Sequence, residues 1–215
     1  MIIEHIMHKK LHTLLPTHSL QDAVTLMKQQ DIRHIPIVDE TFKLVGIVTA
    51  HDVKRALPST VDPIQNETVY ETPLAKIMTE NPIVGHPLDF VEDIAATLYD
   101  AKISCMPIVS QQKLVGLITT TDLLYAFIEL TGSNKPSSKI DILVEDRPGV
   151  LNAVTDIIKE FNANILSILV LPKPENSTMC VLSIRLQMIH PLPIIEHLKA
   201  HGYEVLWPSA PGMIL

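Results

Sequence analysis

The chain repeats itself, and the repetition limits what it can fold into more than any other feature. Gly46-Ile47-Val48-Thr49-Ala50-His51-Asp52 returns as Gly116-Leu117-Ile118-Thr119-Thr120-Thr121-Asp122. Ile6-Met7 returns as Ile77-Met78, and Ile35-Pro36-Ile37-Val38 as Met106-Pro107-Ile108-Val109. These last pairs stand 71 residues apart and the Gly-to-Asp signatures 70, so one residue is missing between Val109 and Gly116. A unit duplicated with its polar ending intact predicts two similar halves that build one composite site between them.

The repeat also carries a repeated hydrophobic pattern. Leu20, Ala23, Val24 and Met27 fall on one helical stripe, and Val91, Ile94, Ala95 and Leu98 fall on the same stripe in the second copy. Ser19 with Asp22 is the expected cap of the first helix, and Asp89 the expected cap of the second. Each helix is followed by two short apolar runs, Ile35–Val38 and Leu44–Val48, then Met106–Val109 and Leu114–Ile118. The polar residues between them read as hairpin turns, and the missing residue falls in that turn, where a length change costs little. A second helix is expected from about Asp52 to Leu57 and from Asp122 to about Leu130. Each unit therefore reads strand, helix, strand, strand, helix. At this size a unit gains by packing on its twin.

Paired units with Ile-Met near the start, a Pro-containing central strand and a closing Gly-x-x-Thr-x-x-Asp resemble a tandem pair of cystathionine-β-synthase (CBS) domains, a Bateman module. The resemblance covers residues 1–130, with units at 1–58 and 73–130 and a linker at 59–72. It implies a pseudo-symmetric pair that binds adenosine-type ligands between the copies.

Thr-x-x-Asp at a helix start has two readings. It is a capping box, worth about 1 kcal/mol and needing no ligand. It is also a place where unpaired backbone N–H groups suit a phosphate, while Asp52 and Asp122 can accept from ribose hydroxyls. The resemblance carries Thr49, Asp52, Thr119 and Asp122 over as nucleotide contacts. The first copy adds Arg33, His34 and His51, with Lys54 and Arg55 nearby, where the second has Ser104, Cys105, Thr120, Thr121 and Leu124. Arg is the better phosphate partner, so unequal pockets are expected. His5, His8 and His12 do not make a metal site, because Lys9 and Lys10 between them repel a cation.

Thr131–Ser138 is a polar linker, and a different pattern follows it. Strands are expected over Lys139–Glu145, Ile165–Leu171, Met179–Met188 and Tyr203–Trp207, with helices after Pro148 and over Leu192–His201. Asp146 is the expected cap of the first of these helices, with Val150, Leu151, Val154, Ile157, Ile158 and Phe161 as its apolar face. The order βαββαβ is ferredoxin-like. Asp146-Arg147-Pro148-Gly149-Val150-Leu151, with Asn164-Ile165 opening the second strand, resembles an ACT domain over 139–215. That family binds amino acids at these places, commonly across a dimer interface. The likeness transfers to Asp146, Gly149, Asn152, Asn164 and Ile165. The fold class is thus α/β (α+β): two CBS domains and a ferredoxin-like ACT domain. That combination resembles the acetoin-utilisation AcuB-like proteins of bacteria.

Composition removes several functions. With 17 basic against 24 acidic residues, no basic block and 4% aromatics, the chain lacks the charge pattern of nucleic-acid binding. Its longest apolar run, Ile165–Leu171, is too short for a membrane span. Cys105 and Cys180 read as buried thiols, in keeping with a cytoplasmic protein. No nucleophile elbow, P-loop or zinc signature occurs, so no catalytic or metal residue is expected. The expectation is a non-catalytic regulator and homodimer, with AMP, ADP or ATP as regulators and no required cofactor. Its protein target is unnamed, and the setting implied by the resemblance is acetoin or butanediol catabolism and acetyl-CoA metabolism. The alternative is a dimerisation module with empty pockets.

Overall fold

The computed structural model describes residues 1–57, 67–173 and 178–208. Most of the predicted 59–72 linker, part of the Pro172–Ser177 loop and the chain end beyond 208 lie outside those residues. The chain divides into two compact units, Met1–Leu124 and Tyr125–Leu215.

In the first unit, helix α1 (Leu20–Gln30) precedes a hairpin of β1 (His34–Val38) and β2 (Leu44–Thr49), then helix α2 (Ala50–Ala56). After a short helix α3 (Glu67–Tyr70) and strand β3 (Thr79–Glu80), the pattern returns. Helix α4 (Val91–Ala101) is followed by β4 (Cys105–Ser110), β5 (Lys113–Thr119) and α5 (Thr120–Thr131), whose residues from Tyr125 onward belong to the second unit. The predicted stripes face inward: Leu20, Ala23 and Met27 are buried on α1, and Val91, Ile94 and Leu98 on α4. Both hairpins are antiparallel and carry a register shift at the same place, Ile37/Val38 and Ile108/Val109. The missing residue sits in the second turn, where Gln111 and Gln112 take positive φ.

The Ile-Met segments explain why two copies are needed, because each lies on the other copy. Strand β3, which follows Met78, pairs with β2, setting Thr79 opposite Ile47. His8, which follows Met7, bridges Leu117 of β5. A Cβ built on Gly116 would lie 2.4 Å from Met7 Sδ, and one on Gly46 2.6 Å from Met78 Sδ. Only glycine lets the methionines seat there, so the repeated Gly and the repeated Met are two halves of one contact. The leading strand expected in each copy is reduced to single parallel bridges, Leu14 to Ile37 and Gly85 to Ile108.

Asp89 does not cap α4. The N-cap is Phe90, without a side-chain hydrogen bond, and the Asp89 carboxylate instead accepts from the His86 amide at 2.7 Å. The helix begins two residues after Asp89, which leaves that carboxylate one position too early to box the helix.

The second unit holds an antiparallel sheet of β6 (Ser138–Glu145), β7 (Ile165–Pro172), β8 (Met179–Leu186) and β9 (Glu204–Trp207), in the order β7-β8-β6-β9. Helices α6 (Val150–Glu160) and α7 (Leu192–Ala200) cover one face of it. Alternate residues of β6 and β8, among them Ile140, Ile142, Val144, Leu182 and Ile184, bury against Val154, Ile158, Ile194 and Leu198. This is the expected ferredoxin-like βαββαβ arrangement. Two details differ. The N-cap of α6 is Gly149, with φ at 85° and no side-chain cap, because Pro148-Gly149 delays the helix until Asp146 is too far back to reach its first amides. Leu151 is exposed at 39%, outside the apolar face.

No helix among the described residues is long and apolar enough to cross a membrane.

Candidate ligand-binding cleft

Both repeated signatures form capping boxes. At α2, Thr49 Oγ1 donates to Asp52 Oδ2 at 2.7 Å, the Thr49 amide donates to the same oxygen at 2.9 Å, and the Asp52 amide returns a bond to Thr49 Oγ1 at 3.3 Å. At α5 the Thr119–Asp122 distances are 2.7, 2.8 and 3.3 Å in the same order. Each box consumes one carboxylate oxygen and leaves Oδ1 to another partner. For Asp122 that partner is His8 Nε2, at 2.8 Å. For Asp52 it is Arg55 Nη2, a longer 3.6 Å away on its own helix.

The two helix starts border one cleft of about 630 Å³, within the usual range for small-molecule sites. Thr49 and His51 line it from one repeat, Thr119 and Asp122 from the other, with Arg33 and His34 at the start of β1. These are the residues the sequence nominates, except Asp52, which does not line the cleft. Lys54 and Arg55 also stay outside, on the exposed side of α2. His8 and His12, which the sequence offers only as metal ligands, and Lys10, which it sets against a metal, reach the cleft because the leading segment lies on β5. The available signal was positional: His8 follows Ile6-Met7 where the second copy has Thr79 after Ile77-Met78.

Where the copies meet, His34 Nε2 lies 2.8 Å from Ser104 Oγ. Burial lowers the His34 pKa below its ordinary 6.5, the Arg33 charge lowers it further, and Asp122 partly opposes them. The imidazole is therefore neutral at pH 7 and can exchange a hydrogen bond with Ser104. Cys105 packs beside Ile47 and Leu117, and its thiol is pushed up to about 12 by burial, aided by the Asp52 charge. Such a thiol fills space and is a poor nucleophile. Among the described residues, no group of His, Cys, Asp and Glu is arranged to hold a metal.

In the second unit the five nominated residues are not brought together. Asp146 and Gly149 follow the end of β6 at Glu145, which pairs with Met179. Asn164 and Ile165 open β7 at the opposite end of the sheet, where Ile165 pairs with Leu186, as does Ser138 at the start of β6. The two groups stand roughly 24 Å apart along the strands, at ~3.4 Å per residue. Asn152 is exposed on α6 and donates to Asp156 at 3.0 Å. Nothing lies within 4 Å of a Cβ built on Gly149, so its positive φ, not crowding, calls for glycine.

The family model described as CBS domain matches residues 3–59 and 74–129, more than half of the chain. The chain belongs to the CBS domain family. An ACT domain model matches residues 138–191, so the CBS pair is followed by an ACT domain. Among solved structures, the CBS chain is similar to one from Vibrio cholerae named for acetoin utilization (AcuB), 36% identical with a TM-score of 0.54, covering 62% of this chain and 95% of that one. It is also similar to the CBS domain pair of protein MJ0100 in complex with 5′-methylthioadenosine and S-adenosyl-L-methionine, 29% identical, TM-score 0.53, covering 63% and 98%. A third, CBSX2 in complex with AMP, is 25% identical, TM-score 0.52, covering 59% and 96%. Among curated relatives, homoserine O-acetyltransferase of Methanococcus vannielii is 32% identical over 123 residues, 57% of this chain. This chain spans only 24% of that protein's length.

Proposed function

We propose that this CBS–ACT chain is a non-catalytic cytoplasmic sensor whose cleft takes an adenosine-containing ligand, with AMP, ADP and ATP as first candidates. The observation that carries the reading is the convergence of Thr49, Thr119, Asp122, Arg33, His34 and His51 on one cleft of about 630 Å³. Related CBS pairs solved with AMP, 5′-methylthioadenosine and S-adenosyl-L-methionine support it. In the proposed pose Asp122 accepts from ribose hydroxyls through Oδ1, Asp52 closes the box at α2, and Arg33 with the histidines faces the phosphate. Asp122 lies on the cleft wall and Asp52 does not, so the two copies contribute unequally.

Binding would shift the balance between arrangements of the CBS pair by the ligand's differential affinity for them, and a protein partner would read the shift. The likeness to the AcuB structure supports a setting in acetoin or butanediol catabolism and acetyl-CoA metabolism. In the ACT domain, Asp146, Gly149 and Asn152 of one copy would complete an amino-acid site with Asn164 and Ile165 of a second, as their separation within one chain demands. That site would make the functional form a homodimer.

Thermal unfolding with AMP, ADP, ATP, S-adenosyl-L-methionine, 5′-methylthioadenosine and free amino acids tests the reading. A ligand at 100 times its Kd adds about 2.7 kcal/mol, a plain upward shift in Tm. No shift with any adenosine compound would replace the sensor with a dimerisation module.

A further inference from the structure

The face of the ACT sheet turned away from α6 and α7 holds a second, smaller hollow of about 210 Å³. At its floor Lys139 of β6 stands directly opposite Arg185 of β8. Like charges directly opposite across two strands are unfavourable. Among the described residues only Lys139 has an ion-pair partner, its Nζ lying 3.0 Å from Asp141 Oδ2, while Asp141 Oδ1 is buried without a hydrogen bond. Arg185 is half-buried, and among the described residues its one partner is a neutral hydroxyl, Ser137 Oγ at 3.1 Å from Nη1. No described carboxylate comes within salt-bridge distance of it.

A half-buried guanidinium with no described carboxylate at salt-bridge distance keeps donors to spare in a fork shaped for a carboxylate. Beside it, Ser183 of β8 also lines the hollow and can donate to the same anion, whereas the Ser167 hydroxyl is already committed to Thr131 O at 2.9 Å. The apolar part of the lining is Leu169 and Leu171, which continue along β7 from Ser167, with Phe127 of α5. Two cations against one carboxylate, beside apolar side chains and in a space for a handful of heavy atoms, select a small monoanion with a short hydrocarbon part.

We propose that this hollow binds a short-chain monocarboxylate through Arg185. It is separate from the adenosine cleft, which lies in the other unit, and from the Asp146–Gly149 turn beyond the far end of β6.

Amide correlation spectra of the full chain, titrated with butyrate and, at matched ionic strength, with phosphate and chloride, test the proposal. Butyrate should move the amides of Ser167, Leu169, Ser183 and Arg185 to saturation, with millimolar affinity. Arg185→Gln should weaken the response at least tenfold while signals from α6 and α7 stay in place. Leu171→Asp puts a negative charge on the exposed wall and should weaken it similarly, so the test survives if Arg185→Gln does not fold. Absence of a saturable response to butyrate would overturn the proposal, as would equal saturation in both variants or changes confined to Asp146–Gly149. Saturation by phosphate or chloride in place of butyrate would mark a simple anion site and overturn the carboxylate assignment.

Discussion

His8 Nε2 and Asp122 Oδ1 meet at 2.8 Å across 114 residues of chain, joining the leading segment of the first repeat to the closing signature of the second. The Asp122 carboxylate thus has two bonds on Oδ2 from the helix cap and one on Oδ1 from His8, leaving Oδ1 a single further acceptor site. A ribose hydroxyl approaching Oδ1 competes with the imidazole, which is mostly exposed.

Replacing His8 by alanine should therefore tighten AMP binding. An exposed hydrogen bond contributes about 0.5–1.5 kcal/mol net, so a gain of roughly three- to tenfold in Kd by calorimetry is expected. Weaker binding would show that His8 touches the ligand instead of competing with it.

The two aspartates separate stability from binding. Asp52→Ala and Asp122→Ala each open a capping box and should each lose about 1 kcal/mol in urea unfolding. Asp122→Ala should also lose most AMP affinity, because Asp122 lines the cleft. Asp52→Ala should lose far less, since Asp52 closes the box at α2 but does not line the cleft. Equal losses of affinity in the two variants would contradict the asymmetry.

Much of this is legible in the sequence alone. The doubled stripe of Leu20, Ala23 and Met27 with Val91, Ile94 and Leu98 depends on local periodicity, and so do the boxes at Thr49 and Thr119. The exchange that seats Met7 on Gly116 and Met78 on Gly46 was not readable. The sequence shows each pair recurring but carries no mark of which copy's glycine receives which methionine. His8 escaped for the same reason, since its role comes from a bridge to Leu117 and not from its neighbours. The Asp146 and Asn164 groups illustrate the converse. They share a family resemblance, yet the parallel course of β6 and β7 holds them at opposite ends of the sheet.

The methionine exchange predicts a coupled pair. Gly116→Ala places a methyl 2.4 Å from Met7 Sδ, and overpacking of this kind costs about 1–3 kcal/mol. Met7→Ala alone should also destabilise, by removing a side chain that spans the two copies. The double variant should lose less than the sum, because Met7→Ala removes the obstacle that the new methyl meets. Strict additivity in urea unfolding would mean that Met7 does not lie on Gly116.

The environment of His34 gives the cleft a defined acid response. Burial and Arg33 together hold its pKa below 6.5 against the weaker pull of Asp122, so in this window the unfolded chain binds the proton more readily than the folded one. Stability then rises with pH across that interval. The contribution of neutral His34 is complete above 6.5 and is lost as pH falls through the folded-state value. Arg33→Gln removes one of the two causes and should raise the His34 midpoint seen by NMR titration. Asp122→Asn removes the opposing charge and should lower it. A midpoint at or above 6.5 in the unmodified protein, or one unmoved by Arg33→Gln, would show that the imidazole is neither buried nor close to that guanidinium as described.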